Sequence, residues 1–357
     1  SGFMTAQANL FTDVQLADGI RLNLTTYLSS RHHNEAWVKG GYIQFDKLPL
    51  KGRFWTQLME VATIKIGHME VNYGDAHFRR SDGGQALYNP FMESYIMDAY
   101  ATEIGGEVYL QKHGLFGMIG ITNGMIKGSA DSTYKTIADD NTRRSPSLYA
   151  KGGLDKLVGD AIRVRLAASY YHNGSNAGSG LTLYGGDRTG SNYQDVMENV
   201  PYGSTLPAST GIAFSGRLNP GFSKKVDAFM LNGFMKIKGV EAFGTFETAK
   251  GRNKNETASR GSRQLAADIV YRFGAAEKTY VGIRYNTAQA RLANTVAVTY
   301  DDKIKVERTA LAGGWFLTRN ILLKAEYVVQ RYVDFPVTDF RNGGRFSGYV
   351  VEAVVGF

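Results

Sequence analysis

The residues best suited to do chemistry are charged and recur at every second position. Arg163 and Arg165 flank Val164, and Asp268 and Arg272 share one face of the segment 264–273. Lys236, Arg284, Lys324 and Glu326 recur in the same manner, each opposed by apolar neighbours. Spacing by two projects side chains to one side of an extended strand, so these eight are expected to line a common surface. If that surface encloses water, its charges would set selectivity through electrostatic wells and barriers. Glu241, Glu247 and Glu352 fall on the same faces. Pairing across the lumen, which would only keep the interior wet and rigid, is the competing expectation.

A second group lies in the string from Asp75 to Gly84, where His77, Arg79 and Arg80 precede two adjacent glycines. Folded inward, Arg79 and Arg80 would stand at a constriction as planar donors for carboxylate or phosphate, with His77 beside them. An ordinary exposed loop is the alternative. His32 and His33 have no further ligands at compatible spacing, so no metal is expected. None of the six histidines sits in the Ser or Asp context that nucleophilic catalysis requires, and no phosphate-binding loop or dinucleotide fingerprint occurs. The sequence therefore points to no catalytic residues and no cofactor.

The elements that must carry these residues are strands. Leu265, Ala267, Ile269, Tyr271 and Phe273 alternate with Gln264, Ala266, Asp268 and Arg272, and the same two-faced pattern recurs over 162–170, 280–286 and 323–330. Further strands are read at about 3–16, 20–29, 37–46, 59–74, 98–112, 115–125, 146–156, 225–237, 239–251, 304–318 and 345–357. Most run ten residues or more, the length of a tilted bilayer crossing. In 59–74 the apolar set slips by one residue at Gly67 and His68, which predicts a β-bulge there.

Link length decides the class. Short turns such as 112–114, 274–278 and 319–320 alternate with long polar stretches at about 75–97, 126–145, 173–224, 252–260, 293–303 and 334–344. Short turns on one side and long loops on the other describe an all-β, single antiparallel transmembrane β-barrel with short periplasmic turns and long extracellular loops. About fifteen segments are counted. Single-chain bacterial barrels have even strand numbers, so fourteen or sixteen strands are expected. The whole of 1–357 reads as one domain. The long extracellular loop 173–224, or the loop 75–97, is expected to narrow the lumen, with 209–218 folded in or over the mouth.

Composition agrees. Of 357 residues 42 are glycine, 12% are aromatic and none is cysteine, which excludes disorder and a disulfide scaffold. The net charge of +8 comes from basic residues scattered among acids rather than gathered in a patch, so nucleic acid is not an expected partner. No apolar run is long enough for a transmembrane helix. No leader-like segment opens the chain, so a signal peptide is expected to be absent or already removed. At the other end Tyr349, Val351, Ala353, Val355 and Phe357 occupy alternate positions, which resembles the C-terminal signal of bacterial outer-membrane barrels.

The segment Ile64-Lys-Ile-Gly-His-Met-Glu-Val-Asn-Tyr-Gly-Asp75 resembles the strand-to-loop region of porins related to the phosphate-selective porin family, most strongly over about 37–110. The resemblance implies a porin-like barrel in the bacterial outer membrane. No dense arginine ladder of the kind that confers phosphate specificity is read here. The expected function is passive diffusion of small polar solutes with an anion preference, the expected surroundings outer-membrane lipid. A blocked barrel serving as a structural or assembly subunit of an outer-membrane complex is the rival, and a homo-oligomer is left open. Arginine at Ile269 is expected to destabilise the barrel, and replacement of Asp268 to cost much less.

Overall fold

The computed structural model describes residues 7–28, 36–80, 85–125, 143–159, 161–177, 180–186, 193, 196–197 and 215–357. Fifteen strands among them form one sheet: β1 (Ala8–Ala17), β2 (Ile20–Leu28), β3 (Trp37–Phe45), β4 (Ala62–Glu70), β5 (Thr102–Lys112), β6 (Leu115–Met125), β7 (Ser147–Val158), β8 (Ile162–Asn173), β9 (Lys225–Ile237), β10 (Val240–Arg252), β11 (Arg260–Phe273), β12 (Thr279–Ala290), β13 (Ile304–Thr318), β14 (Ile321–Val333) and β15 (Arg345–Val355). Their order in the sheet is their order in the chain, and neighbours pair antiparallel. A sheet of this size is consistent with the fourteen or sixteen strands expected. One short helix, α1 (Arg53–Met59), interrupts the link between β3 and β4.

The sheet is curled. Lys39 of β3 stands 5.1 Å from the Tyr100 ring, while Lys324 of β14 donates to the Phe91 carbonyl at 3.0 Å. Nine residues can span at most about 32 Å of chain. Eleven strand spacings laid flat would cover roughly 53 Å. A sheet wrapped around the 71–101 segment brings both walls to it, as a barrel does.

Alternation assigns the faces. Ile269 is 56% exposed and Ile283 45%, whereas Asp268 and Gln264 between and beside them are 1% exposed. The apolar outer face is what a lipid-facing wall requires, because backbone groups are satisfied within the sheet and only side chains meet hydrocarbon. Turn chemistry fixes the short side. His113 and Gly114 both take left-handed φ, 52° and 78°, as a two-residue hairpin turn matching strand twist demands. No helix among the described residues is long and apolar enough to cross a membrane.

The bulge expected at Gly67 and His68 is not there: β4 pairs with β5 in unbroken register from Ala62 to Glu70, and its pairing with β3 includes both residues without a shift and ends at His68. The irregularity lies one strand away. Thr25 pairs Gly40 and Thr26 pairs Val38, leaving Lys39 as the extra residue. The apolar slip has another cause: Met69 is buried on the inner side of β4, and Val71 and Tyr73 belong to the lumenal loop and are buried inside the barrel rather than turned to lipid. Of the stretch 209–218, residues 215–218 are described; Ser215, Gly216 and Leu218 are buried and Arg217 half-buried, with Leu218 N donating to Ile96 O at 2.8 Å. Residues 209–214 lie outside the described residues.

Candidate functional site

After β4 the chain turns inward, and its described residues 71–80 and 85–101 lie inside the barrel. Burying a loop is costly unless its backbone polar groups find partners, and here the wall supplies them. Ile96 N donates to Asn286 Oδ1 at 2.6 Å and Met92 N to Glu326 Oε2 at 2.9 Å. Gln264 accepts from Met97 N at 2.8 Å and donates back to its carbonyl at 2.9 Å. Phe91, Met92, Ile96 and Met97 are almost fully buried. At about 1.5–3 kcal/mol for each large apolar side chain, this burial is a main term holding the loop down.

The three residues picked out in the loop are brought together. His77 and Arg79 form one short 3-10 turn, and Arg80 follows. Arg80 forks onto Asp98 at 2.8 and 3.0 Å and lies over the Tyr100 ring. His77 Nδ1 faces Glu70 Oε1 at 2.5 Å and its Nε2 faces the Tyr73 carbonyl at 2.8 Å. Arg79 is different. Its guanidinium lies against Phe243 and 3.5 Å from Asp268, and its Nε and one terminal nitrogen find no hydrogen-bond acceptor among the described residues.

Asp268 is meanwhile held by Arg284 in a two-pronged pair at 2.7 and 2.8 Å. Two buried guanidiniums thus share one carboxylate. They border a cavity of about 40 Å³ whose lining includes Arg79, Arg80, Arg284, His77, Tyr95 and Asp98. Burial raises the Tyr95 phenol above its ordinary range, with the neighbouring Asp268 charge adding to the effect, so the ring enters this cavity as a neutral hydroxyl.

The eight wall candidates divide by depth. Asp268, Arg284, Lys324 and Glu326 lie under the loop; Lys324 donates to the carbonyls of Ala86, Asn89 and Phe91. The other four stand toward the short-turn end, partly open to water and paired with acids. Arg163 meets Asp155 at 2.7 Å, and Arg165 bridges Asp75 and Asp155 at 2.5 and 3.1 Å. Lys236 reaches Glu277 at 2.6 Å and Arg272 reaches Glu241 at 2.8 Å. His32 and His33 lie outside the described residues.

Sequence reasoning missed a set of carboxylates that hold tyrosines. Glu247 accepts from Tyr73 at 3.0 Å and from Tyr184 at 2.8 Å, and Glu103 accepts from Tyr171 at 2.6 Å and Ser147 at 3.1 Å. Alternation could flag each acid as inward, but the tyrosines lie far away in sequence. Buried Arg308 on β13 was visible by the same alternation; it donates to Ser94 O at 3.2 Å and Ser215 O at 2.8 Å, tying two loops to the wall. The described part of 173–224 joins this packing through Leu183, whose carbonyl accepts from Tyr100 N at 2.9 Å.

No protein-family profile and no curated protein matches the chain. Solved structures do. An anion-selective porin from Comamonas acidovorans superposes with a TM-score of 0.52 at 11% identity, covering 100% of this chain and 91% of that one. OmpF of Salmonella typhi, in complex with daunomycin, gives 0.52 at 11% identity over 98% and 89%. A loop-deleted OmpT, an outer membrane protein of Vibrio cholerae, gives 0.51 at 10% identity over 98% and 89%. At such low identity the likeness speaks for architecture, and it does so over nearly the full length: this chain has the barrel fold of outer-membrane porins.

Proposed function

We propose that the protein is an outer-membrane channel for passive diffusion of small polar solutes, narrowed by the 71–101 loop and preferring anions. The observation that carries this reading is the loop itself, seated across the barrel with Arg79 and Arg284 sharing the single carboxylate of Asp268. Among the described residues that arrangement sets two guanidiniums against one carboxylate in the seat of the loop, and fixed charge in a low-dielectric constriction acts strongly on passing ions. Water-exposed inward groups on β1 and β2, among them Asp13 and Arg21, support a passage along that wall beside the loop. Barrels of this size leave an aqueous interior unless plugged.

The second reading is a blocked barrel acting as a structural or assembly subunit. It draws support from the wall of β11 to β14, where Gln264, Asn286, Lys324, Glu326 and Gln330 are no more than 2% exposed beneath the loops. Planar-bilayer recording separates the two. A diffusion channel gives stepwise current on insertion and a reversal potential on the anion side under a KCl gradient. Protein that inserts without carrying current defeats the channel and leaves the blocked barrel standing.

A further inference from the structure

The links on the periplasmic side are tight turns, such as Asp18 with Gly19 and His113 with Gly114, except one. Between β3 and β4 the chain takes residues 46–61 and folds α1 within them. This helix has little of its own to stand on. It is seven residues long, has no side-chain cap, no acid in its first turn and no base in its last, and none of its residues is buried. Isolated helices so short are marginal in water and normally rely on packing of an apolar face.

The apolar face exists and is only partly covered among the described residues, with Trp55, Leu58 and Met59 half-buried and Phe54 exposed. Phe54, Trp55, Leu58 and Met59 fall on adjoining positions of the helix, Phe54 is 67% exposed, and Leu50 just before it is 50% exposed. Phe54 and Trp55 meet edge to face at 5.0 Å. Beside this stripe stand Lys51 and Arg53, both exposed and without an ion-pair or hydrogen-bond partner among the described residues. The nearby Lys47 is by contrast taken up by Asp18 at 2.6 Å. The two strands that α1 joins carry the outer apolar band to its ends: Phe45 at the end of β3 pairs with Ile64 of β4, and Ile66 beyond it is 54% exposed.

We propose that α1 seats in the periplasmic leaflet of the membrane, with Leu50, Phe54 and Trp55 at the boundary of headgroups and acyl chains and Lys51 and Arg53 on anionic phospholipid headgroups. Short amphipathic helices with aromatic and basic residues lie in the interface plane for these reasons, and each basic group near an anionic surface strengthens the attachment. The assignment rests on the barrel and its sidedness, not on whether the lumen conducts.

The test uses the full chain. It has three tryptophans, Trp37, Trp55 and Trp315, so Trp37→Phe with Trp315→Phe leaves Trp55 as the only one. Trp37→Phe with Trp55→Phe leaves Trp315, on the lipid face of β13, as a reference. Each variant is inserted into vesicles of phosphatidylcholine and phosphatidylglycerol in equal parts, brominated either near the headgroup or at mid-chain. Trp55 should lose about half its fluorescence or more to bromine near the headgroup, distinctly less to mid-chain bromine, and stay largely shielded from aqueous iodide. Adding Lys51→Glu and Arg53→Glu should at least halve that quenching and raise iodide access.

Iodide quenching of Trp55 with no effect of bromine at either depth, while Trp315 is quenched by lipid, would overturn the seat and leave the helix facing the periplasm. Shielding of Trp55 by a co-purifying protein would overturn it equally. Failure of Trp315 to respond to bromine would count against the barrel and not against α1 alone.

Discussion

Arg80 and Asp98 close the lumenal loop on itself. Their two-pronged pair spans eighteen residues of chain, with both side chains buried and the Tyr100 ring stacked against the guanidinium. Removing one partner of a buried pair typically costs about 3–5 kcal/mol, because the other charge is stranded. Asp98→Asn should therefore loosen the loop without unfolding the wall, whose strands pair independently of it. Single-channel recordings are expected to show larger or noisier current steps. Steps identical to the parent would mean that the pair does not hold the narrowest point.

Arg79 differs from Arg80 in having acceptors for only part of its guanidinium. Arg79→Gln removes a charge that shares Asp268 with Arg284, and Arg79→Glu reverses it. The anion-to-cation permeability ratio should fall in that order, and the difference should shrink as salt rises, since the screening length contracts from about 10 Å at 0.1 M to about 3 Å at 1 M. Reversal potentials at several salt concentrations measure it. An unchanged ratio across all three proteins would remove Arg79 from the permeation path.

Ile269 and Asp268 are chain neighbours on opposite faces. Ile269→Arg places a cation on the lipid side, where the cost is about 2–4 kcal/mol near the bilayer midplane. Read from sequence, Asp268 looks cheaper to replace. The structure reverses that expectation, because Asp268 is 1% exposed, paired with Arg284 and 3.5 Å from Arg79. Asp268→Ala strands two guanidiniums and should cost at least as much as Ile269→Arg. Urea or heat unfolding of the two variants, followed by the gel shift between unboiled and boiled samples, gives the comparison.

In the extracellular loops Tyr300, Asp339 and Arg341 form a staple between 291–303 and 334–344. Arg341 donates to Asp339 at 2.8 and 3.0 Å, and Tyr300 also donates to that carboxylate. Burial alone would raise the Asp339 carboxyl; hydrogen bonds from Arg341 and Tyr300 outweigh it and hold the group below the usual carboxylate range. Its contribution is thus present above the unfolded carboxyl range near 4 and lost as pH falls through the lower folded value. Burial and the Asp339 bond push Tyr300 up to about 12. That phenol contributes fully below its unfolded value near 10 and loses its part as pH rises through 12. Protection factors of the two loops, taken relative to the intrinsic exchange rate at each pH, should be highest between these limits. Protection that does not weaken on acidification would argue against the staple.

The wall was legible in the sequence because period two is a local property. Leu265 to Phe273 and Ile321 to Val333 declare their faces residue by residue, and the strands were placed with them. Arg79 and Arg80 could be singled out for their type, and their alternation marked Arg284 and Asp268 as inward. What could not be read is which inward charge meets which loop group. Tyr73 and Glu247 are 174 positions apart, and Met92 and Glu326 are 234 apart. α1 escaped for a different reason: seven residues between two strands give too short a window for a helical period to stand out. The bulge was misplaced because an apolar slip in β4 has two causes, an extra residue or a change of what the strand faces, and sequence does not distinguish them.

The order of strands around the sheet bears on how the molecule comes together. Each hairpin joins sequence neighbours, so the wall can grow by steps that close short loops. The lumenal loop has no such freedom, since the part of its seat that holds Phe91, Met92, Ile96 and Met97 comes from β11 to β14, made almost two hundred residues after Arg79. During synthesis and insertion the 71–101 segment, with Phe91, Met92 and Ile96, must therefore wait uncovered until the C-terminal third has arrived. Holding that segment apart from other chains is the step at which this barrel is most exposed to aggregation, and the place where a chaperone would have most to protect.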